Sequence, residues 1–169
     1  MSVLTGDVIF HLQDGYKKKQ PAGIDVAPKA IYKIPHEIYD YAIFSGDKRG
    51  FVKNEEYVPI QEAIIKVEPK DDYWILEPGV YYVVFPKVKI PKDCIAIAYP
   101  RSTLNRLGLI KCQSAIFDPG YEGEYNQTWY LPIKLKIHVN EPWIQLVFFK
   151  LDKPAKESYA GHWQGERYE

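Results

Sequence analysis

The sequence predicts an all-β domain, either closed on itself or built in two layers, and three observations carry that reading. Tyr and Pro are abundant, at 14 and 13 of 169 residues, which favours strands and turns over long helices. Short apolar runs such as "WILEPGVYYVVFPKVKIP" and "CIAIAYP" are punctuated by Pro-Gly or Pro-Lys turns. The stretch from Leu131 to Val139 alternates, with Leu131, Ile133, Leu135, Ile137 and Val139 on one side and Lys134, Lys136 and His138 on the other.

The elements follow in order. "TGDVIFHLQDG" reads as a short helix with Thr5 at its cap, Asp7 in its first turn and Gly15 beyond its end. "QPAGIDVAPKAIYKI" reads as a strand, with Ile24 and Val26 alternating with Asp25. Residues 35–70 are the least regular, and "SGDKRG" reads as a loop within them. "IKVEP" and the two runs quoted above are strands, and Pro100 ends the last of them. In "RSTLNRLGL", Ser102 or Thr103 caps a helix through Leu107, and Gly108 supplies a left-handed exit. Leu131 to Val139 is one strand, and "VNEP" turns it into the paired strand "WIQLVFFKL". The polar tail from residue 152 onward has no periodicity and forms an arm on a single domain spanning residues 1–169.

Composition narrows the function. With 22 basic and 22 acidic residues the formal charge is zero, so no general nucleic-acid footprint exists and any anion site must be built locally. Cys94 and Cys112 lack metal-ligand spacing and read as small buried hydrophobes in a reducing cytoplasm, with a functional thiol as the alternative. "MSVLTGDVIFHLQDG" has no basic segment leading an apolar one, and no apolar run reaches membrane length, which points to a cytoplasmic chain without a membrane partner.

The chemistry-bearing residues lie between Tyr99 and Glu124. Arg101 beside the positive end of a helix is out of place unless an anion sits there with the backbone N–H groups and the Ser102 and Thr103 hydroxyls. The alternative is an exposed arginine next to an ordinary cap. Asp118, before Pro119-Gly120, is either a turn starter or a carboxylate aimed at a water or sugar hydroxyl. Tyr121 suits a sugar face or packing on a neighbouring strand equally well.

"PRSTLNRLG" followed by "FDPGYEGE" resembles the paired motifs of the dUTPase and dCTP deaminase superfamily. "QPAGIDV", "LEPGVYYV", "WIQLVFF" and the C-terminal "HWQGE" fall in the order that superfamily shows, so the likeness covers most of the chain. It implies a distorted jelly-roll or β-clip barrel with one or two short helices. It also implies a homotrimer with active sites at subunit interfaces, each binding a deoxynucleoside triphosphate with Mg2+ held mainly through the phosphates. The deaminases place a glutamate ten residues beyond the aspartate; here that position is Thr128, which cannot shuttle protons as a carboxylate does. Asp118 falls on the dUTPase catalytic aspartate, whereas the motif's second aspartate is Gly120 and the Gly-rich C-terminal element is replaced by "GHWQGERYE".

The combination looks like a dUTPase on the deaminase-like scaffold, as in archaeal members, converting dUTP to dUMP and pyrophosphate. By resemblance, Asp118 and Ser102 are catalytic, and Arg101, Thr103 and Arg106 bind phosphates. Gln145 matches the family's later-strand glutamine, or else faces solvent. The base docks on residues 109–116, where Gln113 adds a bond. Tyr121 lies against the sugar, and Trp163, Gln164 and Arg167 close over the nucleotide; the other reading of Trp163 is a permanent strap. Two alternatives stand beside this. One is a dCTP deaminase, or bifunctional enzyme, using a displaced carboxylate such as Glu122 or Glu124. The other is a non-catalytic nucleotide-binding β trimer.

Overall fold

The computed structural model describes residues 2–114 and 116–168. It opens with β1 (Ser2–Val3), α1 (Gly6–Ile9) and a 3₁₀ turn at Phe10–Leu12. Next come β2 (Lys18–Gln20), β3 (Gly23–Val26) and β4 (Ala30–Lys33), then β5 (Tyr41–Ser45), β6 (Lys48–Lys53), β7 (Glu56–Pro59) and α2 (Ile60–Ala63). The central run is β8 (Ile65–Val67), β9 (Tyr73–Leu76), β10 (Gly79–Lys89), β11 (Cys94–Pro100), α3 (Ser102–Arg106) and β12 (Ile110–Lys111). The last strands are β13 (Glu122–Leu131), β14 (Leu135–His138) and β15 (Ile144–Lys150).

Two mixed-length sheets carry the core. In the first, β15 is central, with β11 along one side and β3 and β1 along the other, and β2 beyond β3. The second runs β12-β13-β10-β4-β8. Alternation explains why they stack: Ala96, Ala98, Leu146 and Phe148 of the first sheet join Val83, Phe85, Tyr125 and Trp129 of the second in one cluster. The opposite face of the second sheet buries Ala30, Tyr32, Tyr82 and Val84 against Phe51, Ile60 and Tyr168. That sheet is therefore covered on both faces, by the first sheet and by the β5–β7 region with the chain's end.

The all-β class stands, but the barrel does not: the sheets remain open. A lone bridge between Ala96 and Phe117 is where β11 meets the segment after β12, and a two-residue β12 is too short to continue the closure. Residues 35–70 are more regular than expected, since "SGDKRG" is not a loop: only Gly46 and Asp47 turn, and the rest lies in β5 and β6 of the three-stranded sheet β5-β6-β7. Leu131 to Val139 is not one strand. β13 ends at Leu131, Ile133 is exposed, and β14 pairs with β9, while β15 joins the first sheet. The longest alternation instead lies in β13, where Gly123, Tyr125, Gln127, Trp129 and Leu131 all turn inward.

The helix-cap expectations fail in detail. Thr5 does occupy the N-cap of α1, with Asp7 in the first turn, but the N-cap of α3 is Arg101; both are extended and neither makes a side-chain cap bond. Ser102 therefore starts α3 instead of capping it, and Gly108 does take the left-handed exit. Cys94 is buried, but Cys112 is exposed, because β12 ends just before it on the edge of its sheet. No helix among the described residues is long and apolar enough to cross a membrane.

Candidate active site

The two candidate motifs occupy different places. The first is built where β3, β15 and β11 run side by side. Register puts Asp25 opposite Gln145, and Gln145 opposite Tyr99. The next turn of chain is pinned by Arg101 N–H donating to Trp143 O at 2.8 Å. The Arg101 guanidinium reaches Asp25 Oδ1 at 3.0 Å, and Gln20 Nε2 donates to the other oxygen at 2.7 Å. Asp25 is only 1% exposed, so both bonds offset the cost of burying its charge. The anion that Arg101 called for is thus supplied, at least in part, from within the chain.

In the sequence Asp25 reads only as the residue alternating with Ile24 and Val26, and so it was missed. All four residues of β3 are buried, so alternation carried no information there. The unmatched Arg101 was the available signal, since a buried partner for it had to be an acidic residue. Ser102, Thr103 and Arg106 are exposed on α3, and Gln145 Nε2 donates to Ala22 O at 2.6 Å, so this glutamine braces the loop before β3.

The second group surrounds Asp118. Tyr121 N–H donates to Asp118 O at 3.1 Å across Pro119-Gly120, and Gly120 has φ +84°, the geometry of a type II turn. A side chain at Gly120 would also strike Ser158 of the arm at 2.6 Å. The turn is locked from both sides, by Gly120 N–H to Ile90 O at 2.9 Å and by paired bonds between Phe117 and Ala96. Asp118 thus projects an exposed carboxylate from a fixed backbone, beside a cavity of about 350 Å³. Phe117, Tyr121, Tyr125, Gln127, Trp163 and Glu166 also line that cavity.

Tyr121 is buried, with its hydroxyl on Glu124 O at 2.8 Å and its ring near Phe117 and Tyr159. Burial holds its phenol protonated well above the ordinary range. Thr128 is absent from the cavity lining, as are Arg101, Ser102, Thr103, Arg106, Gln113 and Gln145. Gln113 is exposed, and Ala115, within the segment expected to receive the base, lies outside the described residues.

The arm lies along the start of β13, on the edge that β12 does not reach. Gly165 N–H donates to Glu122 O at 2.9 Å, and Glu124 N–H donates to Glu166 O at 2.9 Å. Gln164 bonds Glu122 N and Gly120 O, both at 3.0 Å, so it serves its own chain here. Gln164 and Arg167 border a second hollow with Lys87, Glu122 and Glu124. Tyr168, unremarked in the sequence, is buried against Tyr82, their hydroxyls 2.8 Å apart. Glu166 accepts from the Tyr168 hydroxyl. Burial first, then the nearby Glu124 charge, pushes the Glu166 carboxyl up to about 7, against the Tyr168 bond. A carboxylate in a tail without periodicity gives no sequence signal of that kind.

Comparison with known proteins places the chain in a family. A family model described as dCTP deaminase-like matches residues 8–151. A deoxyuridine 5′-triphosphate nucleotidohydrolase of Methanocaldococcus jannaschii is 36% identical over 150 residues, covering 86% of each chain. A "dCTP deaminase, dUMP-forming" of Kocuria rhizophila is 28% identical over 180 residues, covering 100% of this chain and 90% of that one. Among solved structures, the 2′-deoxycytidine 5′-triphosphate deaminase of Agrobacterium tumefaciens superposes with a TM-score of 0.62 at 19% identity. That match takes in 86% of this chain and 46% of the deaminase chain, and it speaks for the fold. A fixed Asp-Pro-Gly turn, an arginine at the start of α3 and a match over most of the length lead to one conclusion: the chain belongs to the dCTP deaminase-like family.

Proposed function

We propose that the chain is a dUTP diphosphatase, cleaving dUTP to dUMP and pyrophosphate. The observation that carries this reading is Asp118. Its carboxylate stands on a locked turn at an aromatic-lined cavity, while residue 128, a threonine, does not line that cavity. Asp118 orients a water and takes its proton as the water oxygen bonds to the α-phosphorus. The bond from that phosphorus to the bridging oxygen breaks, and pyrophosphate leaves. Ser102, Thr103 and Arg106 bind phosphate oxygens, joined by the Arg101 N–H groups not used on Asp25, since a guanidinium has five donors.

Because the α3 residues do not line the Asp118 cavity, a complete site is formed between copies of the chain in a homotrimer. A Mg2+ carried on the triphosphate would neutralise its charge, held mainly through the phosphate oxygens.

A second reading is supported by Glu166. A cavity-lining carboxyl titrating near 7 has the proton affinity that releasing ammonia from a cytosine ring requires. Product analysis with dUTP and dCTP in parallel, with and without Mg2+, separates the readings. Pyrophosphate and dUMP from dUTP alone supports the first, and ammonia from dCTP the second. Binding without turnover of either points to a nucleotide-binding protein without catalysis.

A further inference from the structure

Two glutamines in this chain are almost completely buried, and they are treated differently. Gln13, 2% exposed, is fully used: Nε2 donates to Asp14 O and Pro86 O at 2.9 Å and to Lys87 O at 3.2 Å, and Oε1 accepts from Tyr125 OH at 2.8 Å. Gln127, 3% exposed, sits on the inward face of β13 between Tyr125 and Trp129, and its Oε1 has no hydrogen-bond partner. A buried amide oxygen left without a donor opposes folding, and a leucine would fill such a core position without that cost. Among the described residues, the other unpartnered buried side-chain atoms are the indole N–H groups of Trp74, Trp129 and Trp143, none of which lines the Asp118 cavity; Gln127 does.

We infer that Gln127 is a specificity-determining residue that accepts a hydrogen bond from an N–H on the edge of the substrate's pyrimidine ring. This rests on the nucleotide reading above. The cavity suits such a ring: Phe117, Tyr121, Tyr125 and Trp163 supply flat apolar surface, and Asp118 stands at its edge. A carboxamide presents an acceptor beside a donor. That pair matches the N3–H and O4 of uracil, and equally the amino group and N3 of cytosine. The shared chemistry is an N–H donor next to an acceptor on a six-membered ring. A ring without that donor leaves Oε1 unpaired in the complex and is rejected.

Gln127→Leu removes the amide at similar volume. The expected result has opposite signs in two measurements: the unliganded melting temperature holds or rises, while KM for the preferred nucleotide rises roughly tenfold or more with kcat little changed. Blocked analogues identify the donor. N3-methyl-dUTP and N4,N4-dimethyl-dCTP should each be compared with its parent nucleotide. In the wild type, methylation of the donor that is read weakens binding; in Gln127→Leu, parent and blocked analogue should bind alike. Gln127→Met gives a second version of the test if the leucine variant does not fold. An unchanged KM with unchanged discrimination overturns the inference alone, as does a lower melting temperature with KM unchanged. Wild-type protein that neither binds nor turns over dUTP or dCTP overturns the nucleotide reading and this inference together.

Discussion

The two halves of the candidate site are held in opposite ways. Around Arg101, charge meets charge inside the protein, with a carboxylate 1% exposed, a guanidinium at 3.0 Å and a glutamine amide closing the group. Around Asp118 the backbone is fixed, but an exposed carboxylate and an unpartnered amide oxygen are left open, beside the Glu166 carboxyl that burial pushes up to about 7. In the first half Asp25, Gln20 and part of the Arg101 guanidinium are committed to one another. The second keeps polar groups available, as a site that must bind and release a ligand requires. Substitutions within the Asp25–Arg101–Gln20 group should accordingly act on stability, and those around Asp118 on catalysis or arm docking.

The largest effect is expected at Arg101. Arg101→Ala leaves the Asp25 charge buried with, among the described residues, only Gln20 as side-chain partner, and it should destabilise the fold by about 3 kcal/mol in urea unfolding. Adding Asp25→Ala should recover part of that loss, because the stranded charge goes with it. If Arg101→Ala unfolds like the wild type, the Asp25 pair is not what holds this half together. In the other half, Asp118→Asn keeps the turn and should lower turnover at least ~100-fold with the melting temperature unchanged. Near-normal turnover would remove Asp118 from the chemistry.

How much of this was legible beforehand depends on how local each feature is. The Asp118 turn was legible, because Pro119 and Gly120 dictate its backbone whatever surrounds it. The strands β8 to β11 were legible for the same reason, each being bounded by its own turn residues. Asp25, Gln127, Glu166 and Tyr168 were not. Asp25 sits on a strand buried on both faces, and Gln127 differs from Gln13 only in what a fold brings near it. Tyr168 matters because Tyr82 lies 86 positions earlier in the chain. The break at residues 132–134 was hidden because alternation continues through it, although the two sides of the break join different sheets.

The arm sharpens the comparison further, since it touches both stability and the cavity. Truncation after Ala160 removes the buried Tyr168 and the backbone bonds to β13, so it should lower the melting temperature by several degrees, consistent with losing roughly 1.5–3 kcal/mol of aromatic burial. Tyr168→Ala should reproduce most of that loss. Trp163→Ala, which alters the cavity wall while sparing the anchor, should instead raise KM at nearly constant melting temperature. Loss of stability from both single variants alike would make the whole arm a strap.

The smallest effect is a pH dependence of arm docking, and its sign is fixed by Glu166. Its carboxyl binds a proton more tightly folded than unfolded, since it is raised to about 7 by burial and by Glu124. Between the unfolded carboxyl range and about 7 the folded state therefore holds more protons, and stability falls as pH rises through that window. Above about 7 the penalty is fully developed and the curve flattens. Other groups facing this point also matter: Tyr168 and Tyr82 stay protonated throughout, and Glu124 is ion-paired with Lys29 and accepts from the Tyr168 backbone N–H. Glu166→Gln isolates the contribution, because the amide keeps the neutral shape at every pH. Hydrogen-exchange protection of the Glu124 amide, which donates to Glu166 O, should fall from pH 5 to pH 8 more steeply in the wild type than in Glu166→Gln, once the intrinsic exchange rate is divided out. Parallel curves for the two proteins would show that the arm docks without regard to the charge of Glu166.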